Sequence, residues 1–231
     1  MTTVAMPRSS STVIRSFSCR SCVSILYMIH STYLHNKTTN YMYEPKTFAI
    51  PELEGISSQT INEHIGLYQG YVKHVNLIHE KVAELSQNAE ENKYAISEMR
   101  RRLGFEFGGM KNHEYYFTQF EGGAAPCPDG TFKTMVDEQY GSLENFITYF
   151  SSVATTRGVG WAMTYIDRAE NKLVTTWVDE QQLGQLADVD IVLALDMWEH
   201  SYMLDYPPSQ KKSYIEAFFK NLNWNVVSER V

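Results

Sequence analysis

Residues 190–206 read DIVLALDMWEHSYMLDY. A β-prone apolar run continues there straight into an acid, a tryptophan, a second acid and a histidine, then back into aromatics and methionine. That context predicts burial, and buried ionisable groups are costly unless paired or bound to a metal. Asp196 and His200 stand four apart, so a helical turn starting at a strand end aims both side chains at one point. The rest of the chain must bring further polar partners to that point.

From Ile56 the text ISSQTINEHIGLYQGYVKHVNLIHEKVAELSQ repeats Ile61, Ile65, Tyr68, Val72, Val75 and Ile78 at helical spacing, with Ser57 or Ser58 as cap. A second helix is predicted over ENKYAISEMRRRLGFEFGGMKNHEYYFTQF, where Gly108 and Gly109 permit a close backbone approach or a kink. GGAAPCPDGTF then interrupts the chain. Beyond it, YGSLENFITYFSSVATT reads as helix, and GVGWAMTYID and KLVTTWVDE as strands joined by the polar turn RAEN. DIVLAL is a third strand, and PPSQKKSYIEAFFKNLNW a closing helix. The predicted fold class is α+β: an N-terminal α-helical hairpin domain over residues 46–126, then a C-terminal α/β domain over 127–231 with a short three-stranded antiparallel sheet. Residues 1–45 are expected to be a disordered leader. The first 43 residues hold no Asp or Glu, several Arg, and many Ser and Thr. That is the composition of an organellar transit peptide, or of an extension upstream of a later start at Met28 or Met42.

At 231 residues, 43% hydrophobic and 13% aromatic, the chain can bury one substantial core. A formal charge of −7 argues against non-specific nucleic-acid binding. No apolar run approaches the ~20 residues of a membrane-spanning helix, so no membrane partner is expected. Three cysteines are too few for a disulfide scaffold, which makes a reducing, cytoplasmic setting the default, or a mitochondrial one if the leader is a transit peptide. Cys19 and Cys22 form a CxxC with no second pair to complete a zinc site, and Cys127 sits in a turn-rich loop.

Of the seven histidines, His30 and His35 lie in the leader, while His74 and His79, near Lys73 and Glu80, read as solvent-facing. His64 on an apolar helix face, His113 in GGMKNHEYYF and His200 remain. With Asp196 they offer three imidazoles and a carboxylate, a set suited to a borderline first-row metal such as Mn, Fe or Zn. From spacing alone, a packed core with Tyr115, Tyr116 and Phe117 is the commoner outcome.

Four blocks carry a family resemblance. DMWEHSYMLDY resembles the DxWEHAYxxxY signature of the iron/manganese superoxide dismutases, and GGMKNHEYYF resembles their GGxxNHxxFW stretch. YGSLENF followed by GVGWAM resembles FGSxxxF and GSGW, and YIEAFFKNLNW resembles the family's end. Together they run in the family's order from Pro51 to the C-terminus. The resemblance implies one Mn or Fe ion per chain on His64, His113, Asp196 and His200. It implies conversion of superoxide to dioxygen and hydrogen peroxide by a homodimer or tetramer. Trp161 and Trp198 would line the site, and Glu199 would bridge to a ligand histidine of the other subunit.

A second-sphere glutamine comes from one of two places in the family. Here the early one is Gly109, leaving Gln181, or less directly Gln182, in the late loop. That combination leans to manganese. Tyr71 approximately matches the gateway tyrosine, because HIGLYQGYV is one residue shorter than the family's HxxKHHxxYV. Tyr68 and Met203 stand where the family has a second-sphere histidine and its cross-dimer tyrosine, so an apolar contact is expected instead. Met163 replaces a common tryptophan. Lys211 stands where the family has a gateway arginine and would steer the anion against the negative net charge. Two other functions compete. A zinc-dependent hydrolase would carry Zn and show no redox cycling; a structural relative without catalysis should lack ligands.

Overall fold

In the computed structural model, which describes residues 42–231, Ser57 opens the first helix. Its Oγ accepts from the Thr60 amide at 3.1 Å, satisfying one of the helix's free donors. Thr60 Oγ1 donates to Asp205 at 2.6 Å, so this helix start is tied to the segment just past His200. Helix α1 (Ser58–Leu85) buries Ile61, His64, Tyr68, Val72 and Val75 on one face; Ile65 and Ile78 are half-buried. Helix α2 (Lys93–Thr118) packs along it to form the expected hairpin. Gly108 and Gly109 do not kink α2, which runs through them unbroken; they serve as a notch.

Residues 1–41, with Cys19, Cys22, His30 and His35, lie outside the described residues. The remainder of the expected leader is already tied to the hairpin. Tyr43 N donates to Asn76 Oδ1 and Tyr43 O accepts from Asn76 Nδ2, both at 2.8 Å.

Helix α3 (Thr131–Tyr140) forms where the turn-rich run predicts only an interruption. Gly130 gives it no side-chain cap. Burial of Phe132, Met135 and Val136, spaced i, i+3 and i+4, carries it instead. Gly141, at φ +82, ends α3, and Ser142 Oγ caps helix α4 (Leu143–Ala154) through the Asn145 amide at 3.1 Å.

Strands β1 (Gly160–Asp167), β2 (Lys172–Asp179) and β3 (Asp190–Asp196) form one antiparallel sheet in the order β2-β1-β3. The central strand β1 is buried almost throughout, and its Trp161 stands opposite Asp196, the last residue of β3. The Gln119 side chain fixes β3 to α2: Nε2 donates to Ala194 O and Oε1 accepts from Ala194 N, both at 2.8 Å. The closing helix predicted over residues 207–224 is shorter, α5 (Lys211–Asn221), and an unpredicted short helix α6 (Trp224–Ser228) follows it. The break falls at Leu222, whose backbone turns extended, and the Asn223 side chain caps α6. The Arg230 guanidinium then reaches inward to Val192 O, Tyr115 O and Thr118 Oγ1, and burial lowers its pKa to about 10. Among the described residues no helix is long and apolar enough to cross a membrane.

Candidate metal centre

The four residues singled out in the sequence meet at the place where α1, α2 and the end of β3 converge. His64 lies on α1 and His113 on α2, Asp196 ends β3, and His200 follows in a short 3-10 turn, Glu199–Ser201. The Nε2 atoms of His64, His113 and His200 stand 3.1, 3.5 and 3.3 Å from one oxygen, Asp196 Oδ2. One potential ligand atom from each residue lies within 4.8 Å of all the others. Donors ~2.1 Å from a common ion are about 3.0 Å apart at 90° and about 3.6 Å apart at 120°. The three contacts to Asp196 Oδ2 therefore have the spacing of neighbouring donors around one ion.

Protonation agrees with that use. Burial drives the His64 and His113 imidazoles toward the neutral form, bringing His113 down to about 3. Burial works against the Asp196 carboxylate, but His200 and His64 outweigh it and hold the carboxyl below its usual range. His113 Nδ1 lies 2.6 Å from the Gly109 carbonyl, which can only accept. Nδ1 therefore carries the proton and Nε2 presents its lone pair inward. His113 Nε2 is buried without a hydrogen-bond partner, as a ligand atom would be before coordination. Neutral imidazoles with an ionised carboxylate are the donor states a metal needs. The residues fit a mononuclear first-row ion.

Asp196 is held from several sides. Its carbonyl accepts from Tyr214 Oη and Ser201 Oγ, each at 3.0 Å, while Oδ1 accepts from Trp198 N at 2.8 Å. Tyr116 Oη lies 3.1 Å from Tyr214 Oη and extends this support. Gln181 is fully buried near this group: its Oε1 accepts from Trp161 Nε1 at 3.0 Å and its Nε2 donates to Tyr71 Oη at 3.0 Å. The Trp161 and Tyr71 rings both lie 5.1 Å from that of His113, centroid to centroid. Gln182 does not join them; its buried Oε1 has no hydrogen-bond partner.

Other residues singled out in the sequence take the following places. Tyr68 is fully buried, and its hydroxyl accepts from Lys46 N at 2.9 Å and donates to Glu114 at 3.4 Å. It therefore cannot form one end of a cross-dimer contact with Met203, which is 49% exposed. Lys211 places its Nζ 5.7 Å over the Tyr202 ring. His74 and His79 are exposed as expected, although His74 Nδ1 approaches Glu106 at 3.6 Å. Sequence reasoning misses the supports Asn112, Tyr116, Gln119, Gln185 and Tyr214. Asn112, Tyr116 and Tyr214 are polar groups on apolar helix faces, and Gln119 and Gln185 lie at a helix end and in a loop; spacing alone assigns none of them a partner.

The chain as a whole is similar to known proteins. A family model for the C-terminal domain of iron/manganese superoxide dismutases matches residues 128–230. An iron superoxide dismutase of Aquifex pyrophilus is 33% identical over 193 residues, covering 81% of this chain and 90% of that protein. A manganese superoxide dismutase of Mycobacterium leprae is 34% identical over 182 residues, covering 77% of this chain and 86% of that protein. An iron enzyme of Tetrahymena pyriformis is 29% identical across 76% of the chain. With one third of positions shared over four fifths of its length, the chain belongs to the iron/manganese superoxide dismutase family.

Proposed function

We propose that His64, His113, Asp196 and His200 hold one manganese or iron ion per chain, and that superoxide is converted there to dioxygen and hydrogen peroxide. Dismutation is the activity of the family, and iron and manganese are its metals. The single observation behind the residue assignment is the convergence of three imidazole Nε2 atoms on Asp196 Oδ2. When bound, such an ion supplies two adjacent oxidation states, which zinc lacks.

The chain's own groups supply the rest. His64 and His113 come from the helical hairpin, and Asp196 and His200 from the α/β part, so we read the two as domains that each donate half of the shell. Burial pushes the Tyr71 hydroxyl well above its usual pKa, so Oη keeps its proton at neutral pH. Trp161 fixes the Gln181 amide with its oxygen toward the indole and its nitrogen toward Tyr71. Tyr71 Oη thus holds a transferable proton, and Gln181 holds Tyr71.

We read the ion as manganese, on the pairing of Gly109 with a late-loop glutamine. A Cβ at position 109 would fall 2.5–2.8 Å from three atoms of the Tyr71 ring, so a side chain there would require that ring to move. Gln181 from the late loop is the reading that remains. Apo-protein reconstituted separately with each metal is expected to be at least as active with Mn as with Fe; activity confined to the iron form would overturn the manganese preference.

A two-fold dimer is part of the proposal. In the single chain the His200 side chain is 22% exposed, whereas the other three ligands are fully enclosed. Glu199 and Met203 beside it are exposed. A second copy placed there isologously would enclose the ligand and pair the acid. On cysteine usage we read the compartment as cytoplasmic.

A further inference from the structure

Glu180, immediately before Gln181, has φ +51, in the left-handed region. Among the described residues the other two non-glycine positions of this kind are Asn171 and Asp188, residue types whose short polar side chains tolerate it. Glutamate has no such compensation. A conformation of this sort persists where the surroundings over-determine it, and such positions cluster at functional sites. Here Glu180 N donates to Val159 O at 3.0 Å, and Glu180 O accepts from Trp198 Nε1 at 3.1 Å. On the far side, Gln181 O accepts from Asn112 Nδ2 at 2.9 Å.

The bend sorts two adjacent residues. The Glu180 side chain stays exposed, while Gln181 turns inward and is completely buried. Trp198 belongs to the ligand loop, because its own amide donates to Asp196 Oδ1. A continuous line of contacts therefore runs from the ligand carboxylate through the Trp198 indole to the Glu180 carbonyl, and on to the Gln181 amide.

We propose that Glu180 is a positioning residue: its left-handed backbone, pinned by Trp198 and Val159, sets where the Gln181 amide stands beside the ligands, and its carboxylate takes no part. The proposal rests on the reading of Gln181 given above. The test compares holoenzymes of wild type, Glu180→Asn, Glu180→Gly, Glu180→Val and Gln181→Ala, measuring turnover per bound metal and the midpoint potential of the metal. Asn and Gly accept positive φ, so both are expected to keep turnover within about twofold and leave the potential unchanged. Val is β-branched and disfavours that region. It should lower turnover on the order of tenfold, as loss of an outer-shell partner does, and move the potential in the same direction as Gln181→Ala.

A Val variant that behaves like Asn overturns the proposal, and so do Asn and Gly variants as impaired as Val. If Gln181→Ala shifts the potential and Glu180→Val does not, only the role of Glu180 falls. If Gln181→Ala shifts nothing, the reading of Gln181 falls and this inference with it. Should the Val variant not fold, Trp198→Phe removes the indole N–H from Glu180 O. The same-direction shift is then expected, and an unmoved potential refutes the idea.

Discussion

Gly108 on α2 receives the backbone of the late loop, and Gly108→Ala should show how much the site depends on that contact. A Cβ at position 108 would overlap the Gln181 carbonyl oxygen and lie 3.0 Å from its carbon. Both are main-chain atoms, so no side-chain rotation relieves the clash and the loop itself must withdraw. Withdrawal stretches the two bonds that tie the loop to Asn112, from its Nδ2 to Gln181 O and from Gln185 Nε2 to its Oδ1, both 2.9 Å. Two hydrogen bonds at about 1 kcal/mol each and overpacking of about 1–3 kcal/mol oppose a helix-propensity gain of about 1 kcal/mol, for a net loss of about 2–4 kcal/mol. In a chain of this size that lowers Tm by roughly 4–16 °C. It should also disturb the Gln181 bonds to Tyr71 and Trp161 and so lower turnover per metal. Gly104→Ala is the control: its Cβ would meet only Gln182 Cγ at 3.8 Å, an ordinary contact, and should raise Tm by about 2–4 °C. Thermal melts of the metal-free proteins and turnover per metal decide the matter. A Gly108→Ala protein with wild-type Tm and turnover would refute the close approach.

Gln181→Ala should cut turnover per metal on the order of 10- to 100-fold, while Gln182→Ala, which breaks no hydrogen bond, should stay within about twofold; parity between the two would reassign the glutamine. In the metal-free protein the folded pKa of His113, about 3, lies below its ordinary value of 6.5, so the unfolded chain binds more protons between those values. That contribution is complete above pH 6.5 and disappears as pH falls toward 3, a loss on the order of 5 kcal/mol to which His64 adds in the same direction. Urea unfolding of apo-protein that is flat across this window would contradict the burial of neutral imidazoles. Glu199→Ala should weaken self-association and metal retention together, and sedimentation of the wild type as a fully active monomer would rule out the dimer.

Strongly periodic elements are legible in the amino-acid sequence. The α1 face from Ile61 to Val75, the three strands and the Ser57 cap follow from spacing and capping chemistry. Helix α3 does not, because Gly130 provides no cap signal and its short apolar face matters only once Phe132 and Met135 have a core to enter. The end of α5 at Leu222 and the start of α6 have the same origin: Asn223 caps α6 and its amide bonds Gln119 O, a partner more than a hundred residues away.

The site shows the same split. The four residues proposed as ligands can be named from motif wording, whereas the convergence of the three imidazoles on the Asp196 carboxylate depends on how α1, α2 and β3 pack. Gly109 points to the late-loop glutamine, yet Gln181 and Gln182 differ only through the turn at Glu180. Tyr68 departs from expectation for a physical reason, since helical spacing gives a face but not the depth to which a side chain is enclosed. Tyr68 hydrogen-bonds Lys46 and Glu114 inside the chain.

The most direct test measures metal content and superoxide dismutase activity together, in wild type and His113→Ala. One manganese or iron ion per wild-type chain with dismutase turnover is expected, and loss of both metal and turnover in His113→Ala. Wild type isolated with zinc alone and no turnover, or His113→Ala retaining wild-type turnover, would contradict the metal centre proposed for this chain.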